Sequence, residues 1–137
     1  MKRILGEVSK AVVEQWGLEE HKNKKIVMYH DRKEHSKEKH LNDFETESRF
    51  HLVMDSLEEI VKKPDYVYYN KATNGLEYYK NINGEVVVAV RISYGRELKV
   101  RSVYPVSKIK IINRKKKEEE EKIAPLIEKY RYKEKAH

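Results

Sequence analysis

Along MKRILGEVSKAVVEQWG, the residues Ile4, Leu5, Val8, Val12, Val13 and Trp16 recur mostly three or four apart. That spacing predicts an amphipathic helix, core-facing or docking, with Gly17 as its stop. EEHKNKK then reads as a polar loop, and Ile26 to His30 as a short strand. From about Glu34 the chain turns helical in character, through Phe44, Phe50, Leu52, Val53, Met54, Leu57, Ile60 and Val61. Pro64 ends this stretch, because the residue before proline resists helical geometry. Ser56 with Glu59 resembles a capping box, so a break near Asp55 is expected. Beyond Pro64 the pattern changes to Val-, Ile- and Tyr-rich runs suited to pleated surfaces. Strands are predicted near 65–70, 76–82, 85–94 and 97–104, with turns at Asn74-Gly75, Asn83-Gly84 and Gly95-Arg96. Asn-Gly between two such runs is a strong hairpin signal. SKIKII adds a candidate edge strand. From Arg114 to Lys122, opposite charges three and four apart favour an exposed helix that Ile123, Leu126 and Ile127 could dock and Pro125 interrupts.

Helices first and strands later read as an α+β fold: N-terminal helices packed on a four-stranded antiparallel sheet, then a charged C-terminal helix. A single domain over 1–137 is expected, with 1–24 as N-terminal helix and loop, 25–112 as core and 113–137 as charged tail.

Composition narrows the chemistry. Hydrophobic and charged residues are each 39% of the 137, and the formal net charge is +7. Such an excess attracts phosphate-rich partners or anionic membrane surfaces, although it also serves solubility. Cysteine is absent, which excludes disulfides, thiol catalysis and thiolate metal sites and fits a reducing cytoplasm. No apolar run reaches the ~18 residues of a membrane span, and the N-terminus, broken by Glu7, Lys10 and Glu14, fails as a secretory signal.

The stretch HDRKEHSKEKH places His30, His35 and His40 five residues apart. On a regular helix that spacing rotates side chains by about 140°, so the three do not converge on one metal ion. No metal and no cofactor is expected. Two histidines at a helix entrance, His35 and His40, suit proton transfer near neutrality, or equally a solvated surface beside Lys37 and Lys39. In the strands, strict alternation puts Arg91 and Ser93 with Val87 and Ala89, and Lys99 and Arg101 with Val103; Ser102 and Tyr104 fall with Leu98 and Val100. A cationic sheet face can hold phosphate and stabilise charge in a phosphoryl transition state, or be an ordinary solvated face. Seven of the ten tyrosines lie between Tyr66 and Tyr104, where they suit base stacking as well as core edges. Phosphate-binding glycine loops and the hydrolase elbow are absent from the sequence.

Taken in order, KKIVMYHD, EHSKEKH, SLEEIVKKPDYV, LEYYKNING, EVVVAVRI and ELKVRSVYPV resemble the phage-type members of the Barnase–EndoU–colicin–RelE-like (BECR) nuclease superfamily. His35 and His40 match the paired histidines of an H-I-x-x-R-H-like element. Lys63-Pro64-Asp65-Tyr66 matches the helix exit, and Ser102-Val103-Tyr104-Pro105 matches a closing T-x-Y/F-P-like strand. Ser36 stands where an apolar residue is usual, Lys39 where arginine is, and Ser102 where threonine is. The resemblance covers roughly residues 25 to 108.

It implies a metal-independent endoribonuclease of phage or mobile-element type, with RNA lying over the sheet. A base takes the ribose 2′-hydroxyl proton, that oxygen attacks the adjacent phosphate, and an acid protonates the leaving 5′-oxygen, giving a 2′,3′-cyclic phosphate. His35 and His40 are the candidates for proton transfer. Ser102 and Tyr104 would orient phosphate or ribose, and Arg91 and Arg101 would stabilise the transition state. Lys37, Lys39, Tyr78, Lys80 and Lys99 are candidates for substrate binding. The rival readings are a non-catalytic nucleic-acid-binding protein on the same fold and a module whose tail helix binds a protein. RNA and an inhibitor or immunity protein are the partners expected; the sequence leaves the oligomeric state open.

Overall fold

The computed structural model describes residues 2–29 and 41–135, with side chains in 2–29 and 43–125. His30, His35, His40, Lys37 and Lys39, and the helix expected from Glu34, therefore begin outside the described residues. The chain divides into two units, Met1–Val106 and Ser107–His137.

The first unit is a six-stranded sheet with helices on one face. In chain order it runs β1 (Lys2–Glu7), α1 (Lys10–Trp16), a 3-10 turn at Glu19–His21, β2 (Lys25–Tyr29), a second 3-10 turn at Leu41–Phe44, α2 (Glu47–Asp55) and α3 (Leu57–Lys62). Then come β3 (Tyr66–Asn70), β4 (Gly75–Asn81), β5 (Glu85–Arg91) and β6 (Glu97–Pro105). The strand order is β1-β2-β6-β5-β4-β3. The four later strands form the antiparallel meander that their alternation predicts. Two more strands extend it, β2 parallel to β6 and β1 antiparallel to β2. The sheet is thus six-stranded and mixed, where four antiparallel strands were expected.

The N-terminal segment explains part of that difference. Its apolar spacing suits a helix throughout, yet only Lys10–Trp16 is helical and Lys2–Glu7 is an edge strand. Ser9 marks the true start, because its side chain accepts the Val12 N–H. Gly6 sits at a break in the β1–β2 register, and a Cβ there would lie 3.2 Å from Val61 Cγ1. That close approach of strand to α3 leaves room for glycine, a residue that weakens a helix interior.

The rest of the helical layer follows its caps. Thr46 accepts the Arg49 N–H and opens α2. The break at Ser56 falls where expected, but without the capping box: the Ser56 hydroxyl donates back to Leu52 O at 2.7 Å. Lys63-Pro64-Asp65 ends α3, and the Asp65 carboxylate accepts the Asn81 N–H at 2.9 Å. The helix exit is thereby tied to β4. Phe50, Val53, Met54, Leu57, Ile60 and Val61 pack onto Val67, Tyr78, Val88, Val100 and Val103 of the sheet.

The loop before β2 buries His21, which is 3% exposed. Lys24 Nζ donates to its Nδ1 at 2.9 Å and to Ser93 O at 2.9 Å, pinning the β5–β6 connection. Burial, and then the Lys24 charge, hold the His21 pKa below the usual 6.5, against a smaller opposing pull from Glu20. The unfolded chain therefore binds a proton that the folded one resists, and stability declines as pH falls below about 6.5 until the folded imidazole protonates. Urea midpoints are expected to drop between pH 7 and 5, and His21→Gln to flatten that slope; an unchanged slope would show that His21 is not the titrating group.

The second unit is one helix, α4 (Lys108–Lys135), continuous through Pro125. SKIKII, expected as an edge strand, is its first turns: Ser107 accepts the Lys110 N–H at 3.3 Å and starts it. Among the described residues no helix is long and apolar enough to cross a membrane.

Candidate nuclease site on the sheet

One irregularity decides which side chains share a face. Ala89 pairs with Ser102, but the next pair is Val90 with Val100, so Arg101 is an extra residue in β6. This is a β-bulge, a device common beside active sites because it re-aims side chains. Strict alternation would bury Ser102 and Tyr104 among the helices and turn Val103 out. Instead Val103 joins Leu98 and Val100 in the core.

The face opposite α2 and α3 then consists of three cross-strand rows, in which Tyr68, Tyr79 and Val87 are buried. Tyr66, Tyr79, Val87 and Tyr104 form the first; Tyr68, Glu77, Ala89 and Ser102 the second; Asn70, Gly75, Arg91 and Lys99 the third. Neighbouring strands are about 4.8 Å apart, so residues adjacent in a row can touch one ligand. Arg91 and Lys99 stand directly opposite each other, an arrangement that like charges disfavour unless an anion lies between them. Both are exposed, as is Arg101. Arg91 and Arg101 have no ion-pair partner among the described residues.

Lys99 is flanked by a fixed carboxylate. Lys2 Nζ lies 2.9 Å from Glu97 Oε2, and the Tyr29 hydroxyl donates to Glu97 Oε1 at 3.0 Å. The hydrogen bond from Lys2 holds the Glu97 pKa down, and the bond to Glu97 holds the Tyr29 phenol up. Glu97 is thus occupied by Lys2 and Tyr29, while Lys99 Nζ sits 5.3 Å over the Tyr29 ring.

The pairing sets Arg91, Lys99, Ser102 and Tyr104 on this face, with Arg101 exposed at the bulge, and separates two other candidates from it. Tyr78 is 1% exposed and belongs to the helix-side core. Its hydroxyl finds no partner among the described residues, and burial pushes its pKa far up. Lys80 also belongs to the opposite side, where its Nζ donates to Lys63 O at 2.6 Å and lies 3.6 Å from Asp65. Its work is to hold the helix exit. Tyr78→Phe should keep full nuclease activity and gain about 1 kcal/mol in urea unfolding, since it removes an unsatisfied buried hydroxyl. A loss of activity would return Tyr78 to the site.

One residue of this face was not singled out from the sequence. Glu77 is 7% exposed and accepts from the Tyr79 hydroxyl at 2.6 Å and from Asn70 Nδ2 at 3.3 Å. It fixes Tyr79, whose ring stacks on Tyr66 at 6.1 Å. The signal was a lone carboxylate inside the Tyr-rich run LEYYK.

The histidine segment begins and ends beside β6. Val27 of β2 pairs with Lys99, and continuing that parallel register brings Tyr29 level with Arg101. The turn Leu41–Phe44 packs against β6 as well. The chain therefore leaves at Tyr29 and returns at Leu41 beside the strand that carries Ser102. Among the described residues no three His, Asp or Glu side chains converge as metal ligands would.

No curated protein and no solved structure matches the chain. Residues 2–124 match a family of nucleases, wider than the 25–108 of the motif resemblance and including β1 and much of α4. By that match the chain belongs to the phage Barnase–EndoU–ColicinE5/D–RelE-like nuclease 3 family of phosphodiester-cleaving enzymes.

Proposed function

We propose that the protein is a metal-independent endoribonuclease that cleaves RNA by attack of a ribose 2′-hydroxyl on the adjacent phosphate. The observation that carries this reading is the bulge at Arg101, which sets Ser102 and Tyr104 beside the cation pair Arg91 and Lys99. The phosphate lies between the cations. Arg91 and Arg101 stabilise the charge that builds on its oxygens as the fifth bond forms. Ser102 and Tyr104 orient the phosphate or ribose. One of His35 and His40 takes the 2′-hydroxyl proton, and the other protonates the 5′-oxygen as it departs. The products are a 2′,3′-cyclic phosphate and a free 5′-hydroxyl. Lys37 and Lys39 add phosphate contacts along the strand. Tyr104, half-buried beside Ser102, offers a ring on which an unpaired base can stack.

An RNA substrate places the work in the cytoplasm, as for a phage- or mobile-element-borne enzyme. A basic nuclease of this kind needs restraint in its own cell, and an acidic inhibitor is the partner that its +7 charge complements.

The test uses an oligoribonucleotide and the same strand with one 2′-deoxy residue at the cleaved step, both in EDTA. Cleavage of the first to cyclic phosphate ends, with the second intact at that step, is the expected result. Cleavage of the deoxy strand, or dependence on a divalent ion, would overturn the reading. Salt-sensitive binding without cleavage would establish instead a non-catalytic nucleic-acid-binding protein.

A further inference from the structure

Helix α4 turns isoleucines out to solvent: Ile109, Ile112 and Ile123 are 68%, 51% and 50% exposed. They do not scatter round the helix. Ile109, Lys116 and Ile123 recur every seven residues, and Ile112 and Glu119 each follow by three. This is the a/d spacing of a helix seam, and it forms one stripe of exposed side chains. The buried residue of this stretch, Glu118, lies on the far side.

The charges along the helix reverse at one point. Arg114 to Lys117 are all basic, and Glu118 to Glu121 all acidic. Ile112 lies five residues before the reversal and Ile123 five after it. We propose that α4 docks antiparallel on α4 of a second copy of this chain, about a two-fold axis at the Lys117–Glu118 boundary. In that register Ile112 meets Ile123 of the second copy, and Lys116 meets Glu119 of the second copy. The whole basic run lies along the whole acidic run. A two-fold repeats every contact, which a self-complementary helix requires.

The alternatives satisfy less of the pattern. A parallel pair sets Lys116 against Lys116 and Glu119 against Glu119, which like charge opposes. A solitary helix satisfies the charges through pairs such as Lys122 with Glu118 at 2.7 Å, but leaves the isoleucine stripe in water. The polar layer in the middle fixes register and direction, as polar residues in helix seams do. The seam is short, so the dimer is expected to be weak and to depend on concentration and salt.

Sedimentation of the full chain over a concentration series tests this. The wild type should pass from monomer to dimer. Lys116→Glu alone and Glu119→Lys alone should each move the midpoint up by about tenfold or more, since facing like charges cost several kcal/mol. The double reversal should restore it. All these positions are exposed, so circular dichroism should show an unchanged fold. Because the chain has no cysteine, direction can be read independently. A mixture of Ile112→Cys and Ile123→Cys chains should cross-link across the two variants faster than either links to itself. A chain that stays monomeric at millimolar concentration overturns the proposal, as does a double reversal no better than the singles. So does a monomer in which Lys116→Glu weakens RNA binding, which would make α4 a nucleic-acid contact.

Discussion

His35→Ala and His40→Ala are each expected to slow RNA cleavage by roughly 10²–10⁴-fold, the usual contribution of a positioned acid or base. The unfolding transition should not move. The segment that carries them begins after Tyr29 and ends before Leu41, both beside β6. Its eleven residues can span at most about 40 Å extended. These substitutions test whether either imidazole serves the phosphate proposed between Arg91 and Lys99. The pH profile separates the roles. The base must be deprotonated, so activity falls below its pKa; the acid must be protonated, so activity falls above its own. The variant lacking the base should lose the acidic limb of the bell, and the variant lacking the acid the alkaline limb. Cleavage within twofold of wild type in both variants would remove the histidines from the chemistry. The residual activity would then point to the sheet residues alone.

The meander was legible because each of its signals is local. Asn83 takes a positive φ of 51° in the β4–β5 turn, and Asn74 one of 50° before β4. Asparagine and glycine tolerate that conformation, so the turns can be read without the rest of the chain. The α2–α3 break and its end at Pro64 are local in the same sense. β1 was not legible, because its pairing is with β2 and its apolar spacing fits a helix as well as an edge strand. Only Gly6 and Ser9 distinguish the two. The start of α4 was missed because IKII alternates like a strand, while its cap, Ser107, is one hydroxyl.

The site was half legible for one physical reason. A bulge is a pairing event between strands, and alternation within one strand cannot reveal it. Reading β6 alone separates Arg101 from Ser102; pairing it with β5 unites Ser102 and Tyr104 with Lys99. The same limit separates Tyr78 from Tyr79. Adjacent tyrosines must point to opposite faces, but which of them meets the helices depends on the register with Val88. Composition and residue type gave cations, hydroxyls and aromatic rings; the register between strands decided which of them meet.

Phe44→Ala is the second change with a large expected effect, and it acts on stability and activity together. Phe44 is fully buried, packs edge-to-face on Phe50 at 5.6 Å, and has the Arg49 guanidinium 5.5 Å over its ring. Truncating a buried phenylalanine costs about 3–5 kcal/mol, which lowers Tm by roughly 10–20 °C in a domain of this size. Phe44 also ends the turn on which the chain returns from the histidines to β6. Loosening that anchor misplaces whatever lies just before it, and a 1 Å misplacement costs on the order of 10²-fold in rate. Leu57→Ala is the matched control, since Leu57 is equally buried and stands in α3, away from that return. Both variants should be destabilised by several kcal/mol. Well below either Tm, Phe44→Ala should cleave RNA at least about tenfold more slowly than Leu57→Ala, by the same positioning argument. Equal rates in the two would mean that the return turn stabilises the fold without positioning the catalytic segment.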